Sequence, residues 1–174
     1  MSAIYRSLII LLPLIVLITY GTILVTDQDD ALVYFEPKEF PQFDLQDLED
    51  REINLAAFNG ISLLNVWARW CITCLVEHPF LTQLSKNEIT LIGLNYKDSQ
   101  LKAKQWLEKR GDPYVFSIYD PRGDLAFDLG VTGAPETFLI FNQQIIGHIQ
   151  GELNQEKWQS TLVPLINAAT MGNQ

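Results

Sequence analysis

The fold class that this sequence predicts is an α/β sandwich, in which helices flank a mixed central β-sheet. Apolar runs of strand length alternate with segments of helical pattern through the middle of the chain, which is typical of parallel strands joined by helices. An apolar hairpin and an amphipathic segment then close the chain, which adds antiparallel strands and a last helix. At 174 residues the chain has room for one such domain, since domains commonly run to about 100–150 residues.

The first half of the pattern predicts a βαβ unit and a second helix. Ile61–Trp67 is apolar and strand-length, so we expect a buried strand there, followed by a helix over Cys71–Lys86 and a second strand over Ile89–Tyr96. Another helix is predicted at Ser99–Arg110, because a glycine and a proline within the next three residues stop it.

The second half predicts a short strand, a hairpin and a closing helix. Val115–Tyr119 is the short strand, and Asp120–Gly123 has the composition of a turn. Thr137–Phe141 and Gln144–Gln150 form the hairpin across polar residues, and Asn154–Ala169 is the amphipathic helix. No internal repeat is visible in the chain.

The N-terminal segment predicts a membrane anchor over residues 1–26. Leu8–Val25 contains no charged residue and is dominated by Leu, Ile and Val, which suits a bilayer span at about 1.5 Å of rise per residue. A cleaved signal peptide and a buried core helix are the alternatives, and the absence of a small-residue cleavage site after Ile18 favours retention. Arg6 precedes the span and aspartates follow it, so the positive-inside tendency places the rest of the chain outside the cytoplasm.

A tether and a folded domain are predicted after the anchor. Residues 27–41 mix acidic residues with Pro37 and Pro41, a composition typical of a linker. We therefore expect the domain to occupy residues 42–174.

Composition excludes two classes of protein. The formal net charge is −9 and the chain has no long basic run, which argues against a nucleic-acid partner because phosphate binding needs clustered Lys and Arg. With only two cysteines, the chain is not a disulfide-dense scaffold. No glycine-rich phosphate loop or dinucleotide fingerprint is present, so we expect no bound cofactor.

The segment Trp67–Cys74 carries the chemistry, because it places two thiols where a hydrophobic strand meets a helix. At a helix N-terminus, unpaired backbone N–H groups and the positive end of the dipole stabilise a thiolate. We therefore expect Cys71 to be the more acidic and more exposed thiol. Cys74 lies one turn further in and can attack a mixed disulfide at Cys71. Trp70 is expected to face the substrate.

Other uses of a C-x-x-C motif fit less well. Haem attachment needs His directly after the second Cys, where this chain has Leu75. A zinc site normally has four ligands, although His78 could complete a three-ligand site for copper or zinc with Cys71 and Cys74. A purely structural disulfide is disfavoured because closing so short a loop stabilises little. We predict no resident metal, and we retain the three-ligand site as an alternative.

A second informative segment, Gly130–Phe138, precedes an apolar strand. By itself it predicts an ordinary loop leading into a strand. Combined with the upstream W-C-x-x-C, it resembles the arrangement of a thioredoxin fold, in which a proline at a strand start lies opposite the cysteines in the cis form. That form costs little only for X–Pro bonds, so the resemblance implies that the Ala134–Pro135 bond is cis. We expect Ala134 to offer its backbone to an extended substrate segment.

These motifs together resemble the thiol:disulfide interchange proteins of cytochrome c maturation, the DsbE or CcmG type within the thioredoxin superfamily. The similarity extends over the whole chain, including the N-terminal anchor. The residues that carry it are Leu64–Ala68 leading into Trp70-Cys71, Thr73-Cys74 with Glu77-His78, Gly93–Asp98, and Gly130-Val131 with Gly133–Ile140.

The resemblance implies a thioredoxin-like sandwich and a reductase. Such a protein lies in the bacterial inner membrane as a single-pass protein, with its redox domain facing the periplasm. It keeps the haem-binding cysteines of apocytochrome c, or of a maturation partner, in the dithiol state. Its electrons come from a membrane thiol transporter of the DsbD or CcdA kind.

The same resemblance assigns residue roles. Cys71 is the nucleophile, Cys74 the resolving thiol, and Glu77 the acidic residue beside them. Asn65 stands where thioredoxin carries a buried Asp, so proton handling for Cys74 falls to Glu77 or Glu136. Glu136 is also expected near the substrate, together with Trp70, Ala134 and Pro135.

Two departures from the family pattern affect the thiols. Ile72 replaces the proline usual between the cysteines, and Leu75 replaces a basic residue that commonly follows the second one. Ile72 restores a backbone N–H that can point at sulfur, but its apolar bulk disfavours charge. The two effects have opposite signs, so we predict redox activity without a reduction potential.

Three other functions are weighed against the leading one. A general periplasmic disulfide reductase would use the same motifs. A peroxidase would favour Thr or Ser three residues before the reactive Cys, where this chain has Ala68. A membrane-tethered metal or haem chaperone would use Cys71, Cys74 and His78 as ligands.

Overall fold

A computed structural model describes residues 36–87 and 89–171. Its main sheet has six strands in the order β1-β8-β7-β4-β5-β6, and β2 and β3 form a separate two-stranded sheet. The strands are β1 Lys38–Glu39, β2 Leu45–Gln46, β3 Glu52–Ile53, β4 Ile61–Trp67, β5 Thr90–Tyr96, β6 Ser117–Asp120, β7 Glu136–Phe141 and β8 Gln144–Gln150.

The main sheet is mixed, as predicted. β4, β5 and β6 run parallel to one another. β7 pairs antiparallel with β4, β8 antiparallel with β7, and β1 antiparallel with β8. The parallel pairs β4–β5 and β5–β6 are each joined through a helix or a long crossover, whereas a two-residue turn makes β7 and β8 an antiparallel hairpin.

The helices follow the predicted order, with differences at their ends. They are α1 Ile72–Leu84, α2 Gln100–Arg110, α3 Asp124–Asp128, α4 Gln155–Lys157 and α5 Val163–Met171. A 3₁₀ turn at Ser85–Asn87 extends α1, and a π-helical turn at Trp158–Leu162 joins α4 to α5. The single closing helix predicted from the pattern is therefore interrupted by a wider turn.

The sequence pattern missed α3, which begins directly after the predicted turn. The buried carboxylate of Asp120 accepts hydrogen bonds from the backbone N–H groups of Gly123, Asp124 and Ala126, each at 2.9 Å. Unpaired N–H groups at a helix start need such acceptors. A turn and a short helix share the same residue types, so composition alone did not separate them.

The segment predicted as the end of the tether contributes to the sheet where it is described. Lys38 pairs with Ile145 to form an edge strand. Phe40 is buried and stacks on Phe58, with ring centroids 4.5 Å apart. The predicted anchor, residues 1–26, lies outside the described residues. Within residues 36–87 and 89–171, no helix is both long and apolar enough to cross a bilayer.

The core lies on both faces of the sheet, because β4 is covered on each side. Alternate residues of a strand point to opposite faces. Leu63 and Trp67 belong to the cluster that also contains the buried side of α1, whereas Leu64 and Val66 belong to the cluster on the other face. A strand covered on both faces has an almost continuous apolar sequence, as Ile61–Trp67 does.

The close packing of β5 generates a stability prediction at Gly93. A Cβ at this position would overlap the hydroxyl of Ser117 and lie 2.7 Å from Nε1 of Trp67. Gly93→Ala should therefore lower the free energy of unfolding by about 1–3 kcal/mol, as overpacking does in other cores. Urea denaturation measures this change.

Gly133→Ala is the matched control, because a Cβ there meets nothing within 4 Å. It should change the free energy of unfolding by less than about 0.5 kcal/mol. Equal stabilities of the two variants would contradict the packing argument.

Candidate active site

The two cysteines lie where β4 leads into α1. Cys71 is the N-cap of α1, and a disulfide joins it to Cys74 with the Cα atoms 5.3 Å apart. The backbone N–H of Cys74 donates to Sγ of Cys71 at 3.0 Å. A thiolate at Cys71 would gain from this donor and from the helix dipole. The greater acidity of Cys71 stays a prediction, and this geometry supplies the donor on which it depends.

Both cysteines are largely buried, although several apolar side chains next to them are exposed. Cys71 is 6% exposed and Cys74 is 2% exposed, which is the predicted order. Apolar side chains surround the disulfide at the surface: Trp70 is 48% exposed, Ile72 80% and Val76 63%. Exposed apolar side chains that lie together in this way suit contact with another molecule.

The turn before Cys71 is held by the loop that follows β5. Nε1 of Trp70 donates to the carbonyl of Lys97 at 3.1 Å. The buried carboxylate of Asp98 accepts from the backbone N–H of Arg69 at 2.7 Å and forms an ion pair with its guanidinium at 3.0 Å. The β5 loop therefore fixes the orientation of Trp70 beside the cysteines. The sequence reasoning included this loop in the family pattern but assigned it no role.

Glu77 lies on the buried side of α1, one turn after Cys74. Its Oε1 accepts from Nδ2 of Asn65 at 3.0 Å, and its Oε2 accepts from the backbone N–H of Leu153 at 2.8 Å. Burial raises the pKa of Glu77 to about 7, although both hydrogen bonds oppose the shift. A carboxyl with this pKa is suited to proton exchange at neutral pH.

Asn65 extends the polar network into the core. Its Nδ2 also donates to Oγ1 of Thr137 at 3.0 Å, and its Oδ1 accepts from the hydroxyl of Tyr114 at 2.8 Å. Burial raises the pKa of Tyr114 well above its usual value, and the nearby Glu77 charge adds to the shift. Tyr114 therefore acts as a hydrogen-bond donor and not as an anion.

The Ala134–Pro135 bond is cis, as predicted. Glu136, the first residue of β7, pairs with Val66 near the end of β4. The proline loop and the cysteine turn therefore lie at the same end of the sheet. Ala134 is partly buried and packs against the cluster that contains both cysteines.

Glu136 lies on the face of the sheet opposite Glu77. Glu136 pairs with Val66, whereas the neighbouring residue Asn65 pairs with Thr137 and bonds to Glu77. Neighbouring positions of a strand face opposite sides of the sheet, so Glu136 and Glu77 lie on different faces. Its Oε1 accepts from the backbone of Thr132 and Gly133, and its Oε2 bonds to Nε2 of His148 at 2.7 Å.

This arrangement makes Glu136 an anchor for the proline loop. It is 2% exposed and both carboxylate oxygens have partners within the protein. Of the two acidic residues considered for proton handling, only Glu77 shares a face of the sheet with Cys74. The position therefore favours Glu77 for that role.

His78 does not join the cysteines in a ligand set. Its Nε2 bonds to the carbonyl of Gly111 at 3.0 Å, and its ring packs edge-on against Trp106. Burial lowers the pKa of His78, against the effect of its backbone hydrogen bonds. Among the described residues, no group of three or more His, Cys, Asp or Glu side chains could hold a metal ion.

Several residues of the site were missed by sequence reasoning. Tyr114, Leu153 and His148 are separated from the cysteines by many residues. Tyr114 bonds to Asn65, Leu153 to Glu77 and His148 to Glu136. Leu153 takes part through its backbone, so its side chain carries no signal. Tyr114 directly follows a proline at the end of a loop, and only its burial reveals its role.

The raised pKa of Glu77 generates a prediction about stability and pH. Between pH 4.5, the ordinary pKa of the group, and about 7, the folded protein retains a proton that the unfolded chain releases. Stability from this group is therefore fully present below pH 4.5 and is lost as pH rises through about 7. The loss amounts to about 3 kcal/mol. Between pH 4.5 and pH 8, the free energy of unfolding of the oxidised wild-type protein should therefore fall by about 3 kcal/mol more than that of Glu77→Gln. Urea denaturation at the two pH values measures this difference.

The control is Glu156→Gln, which changes an exposed carboxylate on α4. It should retain the wild-type dependence on pH. The same loss in wild type and in the Glu77 variant would contradict the assignment.

Comparison with protein families and curated proteins agrees with this site. The Redoxin family model matches residues 36–162. The chain is 48% identical over 132 residues to the thiol:disulfide interchange protein DsbE of Vibrio cholerae serotype O1, covering 74% of this chain and 72% of that protein. It is 38% identical over 174 residues to DsbE of Escherichia coli strain K12, covering 90% of this chain and 92% of that protein.

Solved structures support the fold. A secreted thiol-disulfide isomerase from Corynebacterium glutamicum has a TM-score of 0.66 at 24% identity, covering 80% of this chain and 95% of that one. A thio-disulfide isomerase from Thermus thermophilus has a TM-score of 0.61 at 18% identity, covering 74% and 94%. The chain therefore belongs to the Redoxin family, as a protein-disulfide oxidoreductase of the DsbE type with a thioredoxin-like fold.

Proposed function

We propose that the protein is a membrane-anchored periplasmic reductase for the disulfides of apocytochrome c, or of a maturation partner that carries them. The observation that carries the proposal is the Cys71–Cys74 disulfide at the N-terminus of α1 in a chain of the DsbE type. Cytochrome c maturation enters through the resemblance of the motifs to that family.

The reduced protein would transfer two electrons by thiol–disulfide exchange. The thiolate of Cys71 attacks one sulfur of the substrate disulfide and releases the other sulfur as a thiolate, which takes a proton from water. Cys74 gives its proton to Glu77 and attacks Sγ of Cys71, which releases the second substrate sulfur as a thiolate. This thiolate also takes a proton from water. The substrate leaves as a dithiol and the protein retains the disulfide. A donor dithiol, from a membrane thiol transporter of the DsbD or CcdA kind, restores the reduced protein.

The surface around the disulfide suits a protein substrate. Trp70, Ile72 and Val76 offer exposed apolar area to a segment that flanks the substrate cystine. The backbone at Ala134, held by the cis Pro135 and by the bonds from Glu136 to the loop, would bind that segment in an extended form. Glu136 would contribute to substrate binding through this loop.

Trapping with single-cysteine variants tests the reaction. Cys74→Ser should form a stable mixed disulfide with an oxidised C-x-x-C-H peptide from apocytochrome c, because the resolving thiol is absent. Cys71→Ser is the matched control and should form at most a trace of adduct. Non-reducing electrophoresis and mass spectrometry measure the adduct. Preferential trapping by Cys71→Ser would reverse the assigned roles.

The rates of the wild-type protein test the substrate class. The reduced protein should reduce the apocytochrome peptide at least about tenfold faster than a peptide with an unrelated disulfide, a difference of about 1.4 kcal/mol. Equal rates would instead indicate a general periplasmic disulfide reductase.

Fractionation of bacterial cells tests the anchor and the location. The full chain should remain in membranes after an alkaline carbonate wash, since residues 8–25 carry no charge. A chain lacking residues 1–26 should be released. Protease added to spheroplasts should digest the domain of the full chain if it faces the periplasm, and protection of the domain would contradict the orientation.

A further inference from the structure

Asn65 is the centre of a buried hydrogen-bond network whose other members come from four separate segments of the chain. Its side-chain amide bonds to Glu77 on α1, to Thr137 on β7 and to Tyr114 in the loop before β6. Leu153, which follows β8, bonds to the other oxygen of the same carboxylate. Neither Asn65 nor Thr137 has any exposed surface, and Tyr114 is 8% exposed.

The direction of each bond follows from the chemistry of the partners. An asparagine amide has two donor hydrogens on nitrogen and an acceptor oxygen. The ionised carboxylate of Glu77 can only accept, so it must face the nitrogen of Asn65. The hydroxyl of Tyr114 then donates to the oxygen of the amide at 2.8 Å. Without that hydroxyl, the amide oxygen would lose its donor, and only Glu77 and Thr137 would hold the amide in this orientation.

The carboxylate of Glu77 is held from two sides. Asn65 donates to Oε1 and the backbone of Leu153 donates to Oε2. A side-chain substitution cannot remove the backbone N–H donor of Leu153. The hydrogen bond from Asn65 is therefore the one that a mutation can remove. Since Glu77 lies three residues after Cys74 on α1, the two side chains share one face of the helix.

We propose that Asn65 and Tyr114 are positioning residues for proton exchange between Glu77 and Cys74, with Tyr114 acting through the amide of Asn65. This inference rests on the role proposed above for Glu77 in disulfide exchange. It adds two residues that touch neither the substrate nor the sulfur atoms. The bond from Asn65 favours the ionised form of Glu77, which is the form that accepts the proton of Cys74.

The charged and titratable groups around Glu77 come from several elements. Glu152 and Lys157, on either side of the start of α4, act on its charge with opposite signs. Tyr114 faces it through Asn65, and Cys74 lies on the same helix. Of these groups, Tyr114 can be changed by a single hydroxyl deletion that leaves every charge in place.

The test uses the reduced protein and an aromatic disulfide, 5,5′-dithiobis(2-nitrobenzoate), in stopped flow. Cys71 attacks first and releases one coloured thiolate, and Cys74 then attacks the mixed disulfide and releases the second. The two phases therefore report the two cysteines separately. This probe does not depend on apocytochrome, so a failure of the proposed substrate class leaves the assay intact.

Tyr114→Phe should shift the pH midpoint of the second phase upward by about one unit, because Glu77 loses support for its ionised form. At pH 7 the second phase should slow about fivefold, since a smaller fraction of Glu77 is ionised. The first phase should keep its wild-type rate and pH profile. Asn65→Ala should shift the second phase in the same direction, by at least as much.

Two further variants separate positioning from a structural effect. Tyr119→Phe removes a hydroxyl that bonds to the carbonyl of Asp98 instead, and it should leave the midpoint of the second phase unchanged. In a Glu77→Gln background, Tyr114→Phe should produce no further shift, because the two residues act on one step. Urea denaturation confirms that each variant is folded at the assay pH.

Each outcome of the stopped-flow test either supports the inference or overturns it. An upward shift confined to the second phase, and absent in the Glu77→Gln background, supports the inference. An unchanged second phase in both Tyr114→Phe and Asn65→Ala would overturn it, as would an equal shift of both phases. If Glu77→Gln itself leaves the second phase unchanged, the proposed role of Glu77 fails, and the inference fails with it.

Discussion

The pairing of β4 with strands on both sides is the constraint on which the active site depends. β5 runs parallel to β4 and leaves the sheet at the end where β4 meets the cysteines, whereas β7 runs antiparallel and begins there. The cysteine turn, the β5 loop and the proline loop are therefore brought to one end of the sheet. Every residue of β4 after Ile61 is buried, so a change in its register would move each side chain to the opposite packed face and separate Asn65 from its hydrogen-bond partners. Such a change is strongly disfavoured.

Burial of Glu77 sets a balance between desolvation and hydrogen bonding. A buried carboxylate without partners would remain protonated far above neutral pH. The donors from Asn65 and Leu153 recover part of the hydration that Glu77 loses, and its pKa settles at about 7. A carboxyl with this pKa can both take up and release a proton at neutral pH.

The redox centre combines buried sulfur with an exposed apolar surface. The sulfur atoms lie within the core cluster, while Trp70 and Ile72 project into solvent beside them. Small solutes gain little from such a surface, but a protein segment can cover it and exclude water. The orientation of Trp70 is set by Lys97 and by the turn that Asp98 holds. The β5 loop therefore helps to orient this exposed apolar surface without containing a reactive group.

Local sequence determined the main elements and the reactive groups. The apolar run Ile61–Trp67 specified the central strand, since its length and apolar content suit a strand buried on both faces. The spacing of Cys71 and Cys74 at the start of a helix specified a redox pair, because helix N-termini stabilise thiolates in any context. Pro135 specified the cis bond only in combination with the cysteines.

Tertiary structure decided which polar residues act together. The sequence offered Glu77 and Glu136 for the same proton, and only the pairing of β4 with β7 places them on opposite faces. Tyr114 joins Asn65 across 49 positions of sequence, and Leu153 contributes a backbone N–H that no side-chain pattern encodes. Such contacts depend on the packing of segments that are far apart in the sequence, so only the tertiary structure decided them. Strand and helix patterns depend on neighbouring residues, so the sequence alone determined them.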